Sequence, residues 1–581
     1  MHRPQSVPRP WIWFAGVGLI AFMLIQVYPI LRGTGVQEGH TFSRHAAQRQ
    51  ALAVAAGKFG GANASDWGKP EITYLSDSAA AGYLAQTKLF DAYRAQWDAD
   101  YPIDVYRADL RMPGDSGALT LFLHPVSGKL VGWNSRPAAS GTAAAEPQAA
   151  PLAADPQQAL EYAARWGEQP EAWIWDGHAP DARGTYTYLS RTGGVGETTL
   201  LLHVRMPQHV GAAAATPIVS DAEAAMSAWG GGAVTYTIQV PDDFAVYLAQ
   251  QNKLAGTMNA LGFVVPQLLM MIMAIVYAVT RRSYTSVRRG AALAALFWAM
   301  YAAFYFNLMP GFRSGLLEDG AKIDPAATQS LLVANLVIVA IMALFTYLAA
   351  VGGDGLWKSM GRSLWPRWRE PNYGNALMTG MKRGYLLALV LLGVQSVILV
   401  FLDQGIGMFQ ATDARQSSYN MTMPWLLPLL AWCAGISEEI QSRLFGIGLF
   451  RHWLISGTRR LLGRAPSSRS AAWLTALAMF PPGLIWAFGH VGYAVYPVYS
   501  RLIELAILAM LFGWFMLRFG FLAVLFAHVI FNSILMSVQL VADGLPGGLA
   551  AGLAGPFLPA VIACLIGWAH RLRNRQHGLR P

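Results

Sequence analysis

The chain is poor in the residues that mark disulfide-built and soluble proteins. It has two cysteines in 581 residues, Cys433 and Cys564, and both fall in apolar runs. The polar part of the chain therefore has no disulfide framework, and its stability must come from its own core. Only 13% of residues are charged against 54% hydrophobic, which excludes an ordinary soluble globular protein. Zinc-finger Cys/His spacing, an HExxH helix and an RNP-like aromatic motif are all missing. The formal net charge of +10 thus does not point to a nucleic-acid partner. The Lys and Arg lie in short segments between apolar runs, where they set membrane orientation.

What the chain has in abundance is apolar length. Runs near 11–31, 258–280, 290–309, 328–351, 384–402, 423–449, 472–495, 502–518, 520–541 and 549–569 are each about long enough to span a bilayer. The expected fold class is a polytopic α-helical membrane protein of about ten spans. An inserted α+β domain lies between spans 1 and 2. "VYPILRGTG" is a poor cleavage site, so residues 1–32 read as an uncleaved anchor. With ten spans the basic segments 281–289, 358–383, 451–469 and 571–580 all fall on the side of the N-terminus. The positive-inside rule then makes both termini cytoplasmic and residues 33–256 extracytoplasmic, in the plasma (inner) membrane. The loop "RSGLLEDGAKID" shares that outer side.

Residues 33–256 alternate helix-like and strand-like stretches. "LTLFLHPVSGKLVGW" (Leu119 to Trp133) reads as strand, turn, strand, loosely like a PepSY-type hairpin. "TYLS" occurs at Thr73–Ser76 and Thr187–Ser190, and "TLFLH" at Thr120–His124 is echoed by "TLLLH" at Thr199–His203. Two α+β repeats, 40–137 and 154–250, are expected, joined by the Ala/Pro-rich linker 137–156. Accessory spans occupy 257–402, a candidate catalytic core 420–541, and the last span with a basic tail 549–581.

A charge at the centre of a span costs roughly 2.5–3.5 kcal/mol on insertion scales. Glu438, Glu439 and Arg443 accept that cost in the sixth span, His490 in the seventh, and His528 with Asn532 in the ninth. Glu439 and Arg443 are four apart on a helix and can neutralise each other. Glu438 points about 100° away and stays unpaired. His528 and Asn532 share one stripe. A buried carboxylate suits a general base, imidazole can share that work or bind metal, and an amide N–H can meet a developing oxyanion. Asp403 and Glu504 lie near outer ends of spans and read as interfacial. Asp354 lacks a partner aspartate, and Ser437 lacks the glycine that would follow a nucleophilic serine.

These residues resemble the CAAX prenyl protease and bacteriocin-processing (CPBP or ABI) family of intramembrane proteases. The paired glutamates, three residues and an arginine are Glu438, Glu439 and Arg443. The aromatic–x3–histidine motif is Trp486 and His490, with Trp where Phe is usual. The histidine–x3–asparagine motif is His528 and Asn532. The resemblance covers about 420–540. It implies a peptide hydrolase in which Glu438 and His490 activate water, His528 and Asn532 stabilise the oxyanion, and Glu439 and Arg443 hold the geometry. The implied partners are a membrane-associated protein or peptide substrate and the lipid bilayer. No obligatory cofactor is expected. Zinc on Glu438, His490 and His528 stays open as a second chemistry. A non-enzymatic scaffold or transporter is the alternative reading, although no repeat among the spans supports transport.

One expectation strains the geometry. At about 1.5 Å per residue, His490 lies roughly 30 Å of helix from Arg469, whereas Glu438 lies roughly 20 Å from Arg451. Either the "PPG" at Pro481–Gly483 displaces that helix, or its first turns project beyond the membrane.

Overall fold

The computed structural model describes residues 9–33, 42–60, 64–115, 117–137, 155–207, 231–318 and 325–576. The Ala/Pro-rich linker, residues 319–324 of the acidic loop and the end of the basic tail lie outside these. Among the described residues nine helices are long and apolar enough to cross a membrane. They are α1 (Pro10–Ile30), α6 (Asp242–Thr280), α7 (Val287–Asn307), α9 (Ala326–Ser359), α10 (Tyr373–Ile406), the stretch Ser468–Phe488, α15 (Val498–Phe519), α16 (Phe521–Ala542) and α17 (Gly548–Gln576). The expected sixth span differs from these nine. It is helical but divided into α11 (Leu429–Glu438), a π-helix (Glu439–Ile447) and α12 (Gly448–Leu462). Its three charges set it apart from the apolar helices. The protein is an integral membrane protein with a separate sheet domain.

That domain holds α2 (Arg44–Phe59), α3 (Ser78–Thr87), α4 (Phe90–Gln96), α5 (Pro156–Ala164) and one eight-stranded antiparallel sheet. Ser43, Asp77 and Asp155 cap α2, α3 and α5 by accepting a hydrogen bond from a first-turn amide. The strands are β1 (Glu71–Ser76), β2 (Asp104–Arg111), β3 (Gly117–Leu123), β4 (Leu130–Pro137), β5 (Trp173–Trp175), β6 (Thr185–Ser190), β7 (Thr199–Arg205) and β8 (Ala233–Gln239). Their order is β1-β2-β3-β4-β8-β7-β6-β5, so two four-stranded meanders join through their last strands. Alternation fixes which face each strand buries. Tyr106, Ala108 and Leu110 of β2, Leu119, Leu121 and Leu123 of β3, and Leu200, Leu202 and Val204 of β7 all point into one core. "TLFLH" and "TLLLH" begin in the third strand of each meander. "TYLS" ends the first strand of one meander and the second of the other. The "TYLS" echo therefore does not mark equivalent positions.

The sheet domain is built onto loops of the helical bundle rather than tethered beside them. Phe409 and Tyr496 lie in β9 (Phe409–Gln410) and β10 (Val495–Tyr496), which pair with each other and bury both rings in the sheet domain's core. α8 (Met309–Glu318) packs on β1, and its Arg313 binds Glu71 and, at 2.6 Å, Asp109. Asn420 completes the free edge of β1. Its Oδ1 accepts from the Tyr74 amide at 2.9 Å, and its Nδ2 donates to the Tyr74 carbonyl at 2.8 Å. One side chain thus stands in for a neighbouring strand. Asn420→Ala leaves both Tyr74 groups buried without partners, at a cost of roughly 1–3 kcal/mol for each. We expect faster limited proteolysis between the sheet domain and the bundle. Cleavage kinetics equal to wild type would count against this role for Asn420.

Candidate active site

The site is assembled by the π-helix, the end of the seventh hydrophobic segment, α15 and α16. All nine residues of the π-helix are buried. Its wider turn is tied to its neighbours by polar side chains. Gln441 donates to Thr346 of α9 at 2.9 Å and accepts from Gln267 of α6 at 2.7 Å. The Trp357 indole donates to the Leu444 carbonyl at 2.8 Å, which serves a backbone group inside the widened turn. Gly446 allows the next helix to come close, since a Cβ there would stand 2.6 Å from Pro482 Cβ.

The seventh hydrophobic segment resolves the depth problem. It is two helices, α13 (Ser468–Leu477) and α14 (Phe480–Phe488), broken at Ala478–Met479. α13 buries none of its residues, and α12 buries only Gly448 and Leu449. The α12–α13 hairpin therefore lies at the periphery of the bundle, where α12 touches α6 through Trp453 and Tyr277 and α9 through Arg451 and Trp357. Only α14 packs deeply, and His490 lies in the turn just after it rather than within a span.

Five of the six expected site residues stand in one chain of close polar contacts. His490 Nε2 lies 3.8 Å from Glu438 Oε1, and His528 Nε2 lies 3.7 Å from Glu438 Oε2. His528 Nδ1 is 2.7 Å from Glu439 Oε1, which lies 3.5 Å from Arg443. Asn532, one turn beyond His528, lines the same cavity as Glu438 and both histidines. The two glutamates have separate surroundings. Glu439 has no exposed surface and Arg443 is 1% exposed, whereas the Glu438 side chain is 23% exposed to the cavity.

The hydrogen bonds fix both imidazoles. His490 Nδ1 is 2.8 Å from the Trp486 carbonyl, which can only accept, so this nitrogen carries a proton. His528 Nδ1 faces a carboxylate oxygen that also serves Arg443, so it too is the donor. Each ring therefore turns Nε2 toward Glu438. Trp486, which stands where the motif usually has Phe, does more than pack. Its indole N–H donates to Glu438 Oε2, its carbonyl orients His490, and the Arg443 guanidinium lies 4.2 Å from its ring. The indole N–H is a donor that phenylalanine lacks. Phe512 is a contact the motifs do not contain. It stacks on His528 at 4.8 Å and faces Arg443 on its other contact.

The cavity has a volume of about 660 Å³ and runs from Glu438 to Gly311, Gly315, Arg415 and Gln416, beside the sheet domain. Glu504, expected at the interface, has no exposed surface. It accepts from Gln395 at 2.7 Å and from Arg501 at 2.8 Å in the cavity wall. Ser437 Oγ donates back to the Cys433 carbonyl at 2.8 Å. Asp354 is structural, collecting Thr285, Arg289 and Lys358 at 2.6–2.8 Å. Among the described residues no group of three or more His, Cys, Asp or Glu side chains has a metal-binding arrangement.

Residues 420–534 match the family model for Rce1-like type II CAAX prenyl endopeptidases. The region thus carries the peptide-hydrolase domain of a CAAX-type membrane protease, and the match encloses Glu438, Glu439, Arg443, Trp486, His490, His528 and Asn532. No curated protein and no solved structure matches the chain.

Proposed function

We propose that this Rce1-like domain is an intramembrane endopeptidase that cleaves membrane-associated proteins or peptides with a water activated by Glu438 and His490. The observation that carries the reading is the convergence of two imidazole Nε2 atoms on the two oxygens of one carboxylate. Gaps of 3.7–3.8 Å exceed a direct hydrogen bond but suit a water that bonds to both sides at about 2.8 Å.

In the proposed step Glu438 and His490 hold the water and Glu438 takes its proton. The water oxygen bonds to the scissile carbonyl carbon. Negative charge develops on the carbonyl oxygen, where Asn532 and protonated His528 donate. The proton then passes from Glu438 to the departing amine as the C–N bond breaks. Glu439 accepts from His528 Nδ1 and holds that ring in place, and Arg443 balances Glu439. No obligatory metal enters this scheme. Wild-type cleavage of a quenched-fluorescence peptide library should survive a strong zinc chelator. Loss on chelation, restored by added zinc, would transfer Glu438, His490 and His528 to a metal centre and remove the glutamate mechanism.

We place both termini in the cytoplasm and the sheet domain outside, following the distribution of basic segments. The cavity then opens toward the extracytoplasmic face, where the sheet domain can select substrates. Removing residues 40–250 would uncover Phe409 and Tyr496, so surface substitutions around Arg415 and Gln416 test that role better than deletion.

A further inference from the structure

At the end of the bundle where the basic segments gather, two arginines lie together without an acid. Arg362 follows α9 and Arg451 lies in α12. Their guanidinium carbons are 5.3 and 5.5 Å from the centre of the same Trp357 ring. Nearby Arg289, by contrast, has Asp354 at 2.7 Å. For Arg362 and Arg451 the described residues supply only neutral partners. Arg451 Nε donates to Thr475 Oγ1 at 3.0 Å, and its Nη1 lies 3.0 Å from Met360 Sδ. Burial lowers the pKa of both guanidiniums, and Arg362 lowers that of Arg451 further. Two like charges held this way favour an anion between them.

The groove they line has a volume of about 400 Å³ and no Asp or Glu in its wall. Ser468 and Thr475 add hydroxyls. Ser468 is also the first residue of the ten-residue α13, so the positive end of that helix opens onto the groove. The remaining wall is apolar, with Trp514 and Leu517 of α15. A cationic end and an apolar flank together fit a molecule that is anionic at one end and hydrocarbon at the other. On the membrane face that carries the basic loops, anionic lipid is the abundant molecule of that kind.

We propose that this groove binds the phosphate of an anionic phospholipid between Arg362 and Arg451, with an acyl chain along Trp514 and Leu517. The bound lipid fills the space between the bundle and the α12–α13 hairpin. That hairpin leads through the Ala478–Met479 break into α14, which carries Trp486. The lipid therefore steadies the root of the arm that brings Trp486 to Glu438. This inference stands apart from the hydrolase reading, because its readout is binding.

The test uses the full chain in phosphatidylcholine nanodiscs, with and without phosphatidylglycerol, and a third arm of phosphatidylcholine with inorganic phosphate. Lipid retention is read by native mass spectrometry and stability by thermal unfolding. We expect preferential retention of phosphatidylglycerol, reduced roughly fivefold by Arg362→Gln and by Arg451→Gln. Arg451→Lys should keep most of the preference, which separates loss of charge from misfolding. Arg459→Gln, with the same net charge, should leave it unchanged. Equal retention of the two lipids, an equal loss with Arg459→Gln, or stabilisation by inorganic phosphate alone would overturn the assignment to a phospholipid.

Discussion

Glu438→Gln is expected to abolish peptide cleavage while leaving the protein folded. The substitution keeps the size and shape of the side chain. The amide oxygen of glutamine can still accept from the Trp486 indole, and its N–H₂ can donate to an imidazole Nε2. What it removes is the ability to take a proton from water. General-base catalysis contributes about 10²–10⁴-fold, and removing the group that holds the water adds to that loss. Glu438 reaches the cavity and is not part of the buried ion pair, so the thermal midpoint should stay close to wild type. The measurement is cleavage of the peptide library by purified protein in detergent, with unfolding followed on the same samples. A variant that cleaves within about tenfold of wild type would remove Glu438 from the chemistry. Silence from wild type as well would favour the scaffold reading.

The separate surroundings of the two glutamates are legible in the sequence because they depend on spacing alone. Four residues bring Glu439 to Arg443 on one face, and that face survives the π-helix because a five-residue bond pattern still returns near the same side after four residues. The π-helix itself was not legible. It depends on Gln441, Leu444 and Gly446 meeting partners from α6, α9 and α14, and no local pattern encodes those meetings. The apolar run continues past His490, so the sequence predicts it inside a span. The helix ends at Phe488, and the chain turns toward β10 because Tyr496 is wanted in the core of the sheet domain. The role of the Trp486 indole is not legible in the sequence, because an N–H becomes informative only when its acceptor is known. In the sheet domain, alternation gave the strands but not their order. β4 pairs with β8 across about 100 residues of chain, and only the folded cores select that pairing.

Arg443→Ala is expected to cause the largest loss of stability of any single change in the site, roughly 3–5 kcal/mol. Arg443 is 1% exposed and Glu439 has no exposed surface, so the substitution strands a carboxylate in the interior with only His528 beside it. It also empties the space between Trp486 and Phe512, whose rings face the guanidinium at 4.2 and 5.0 Å. Arg443→Lys should cost less, about 1–2 kcal/mol, because it restores the charge but not the flat stack. The double change Glu439→Gln with Arg443→Met removes both charges and refills the volume. Its stability should recover much of the Arg443→Ala loss, since no charge is left buried without a partner. Its cleavage should stay low, because the carboxylate that accepts from His528 Nδ1 is then gone. Unfolding and cleavage measured on all three variants distinguish the alternatives. A cost below about 1 kcal/mol for Arg443→Ala would mean that solvent reaches the pair, while full activity in the double variant would mean that the pair serves folding alone. The expected divergence follows from what an ion pair contributes in lipid. Its net stabilisation is small, so we assign its use at this position to orienting His528 for the proposed reaction rather than to the fold.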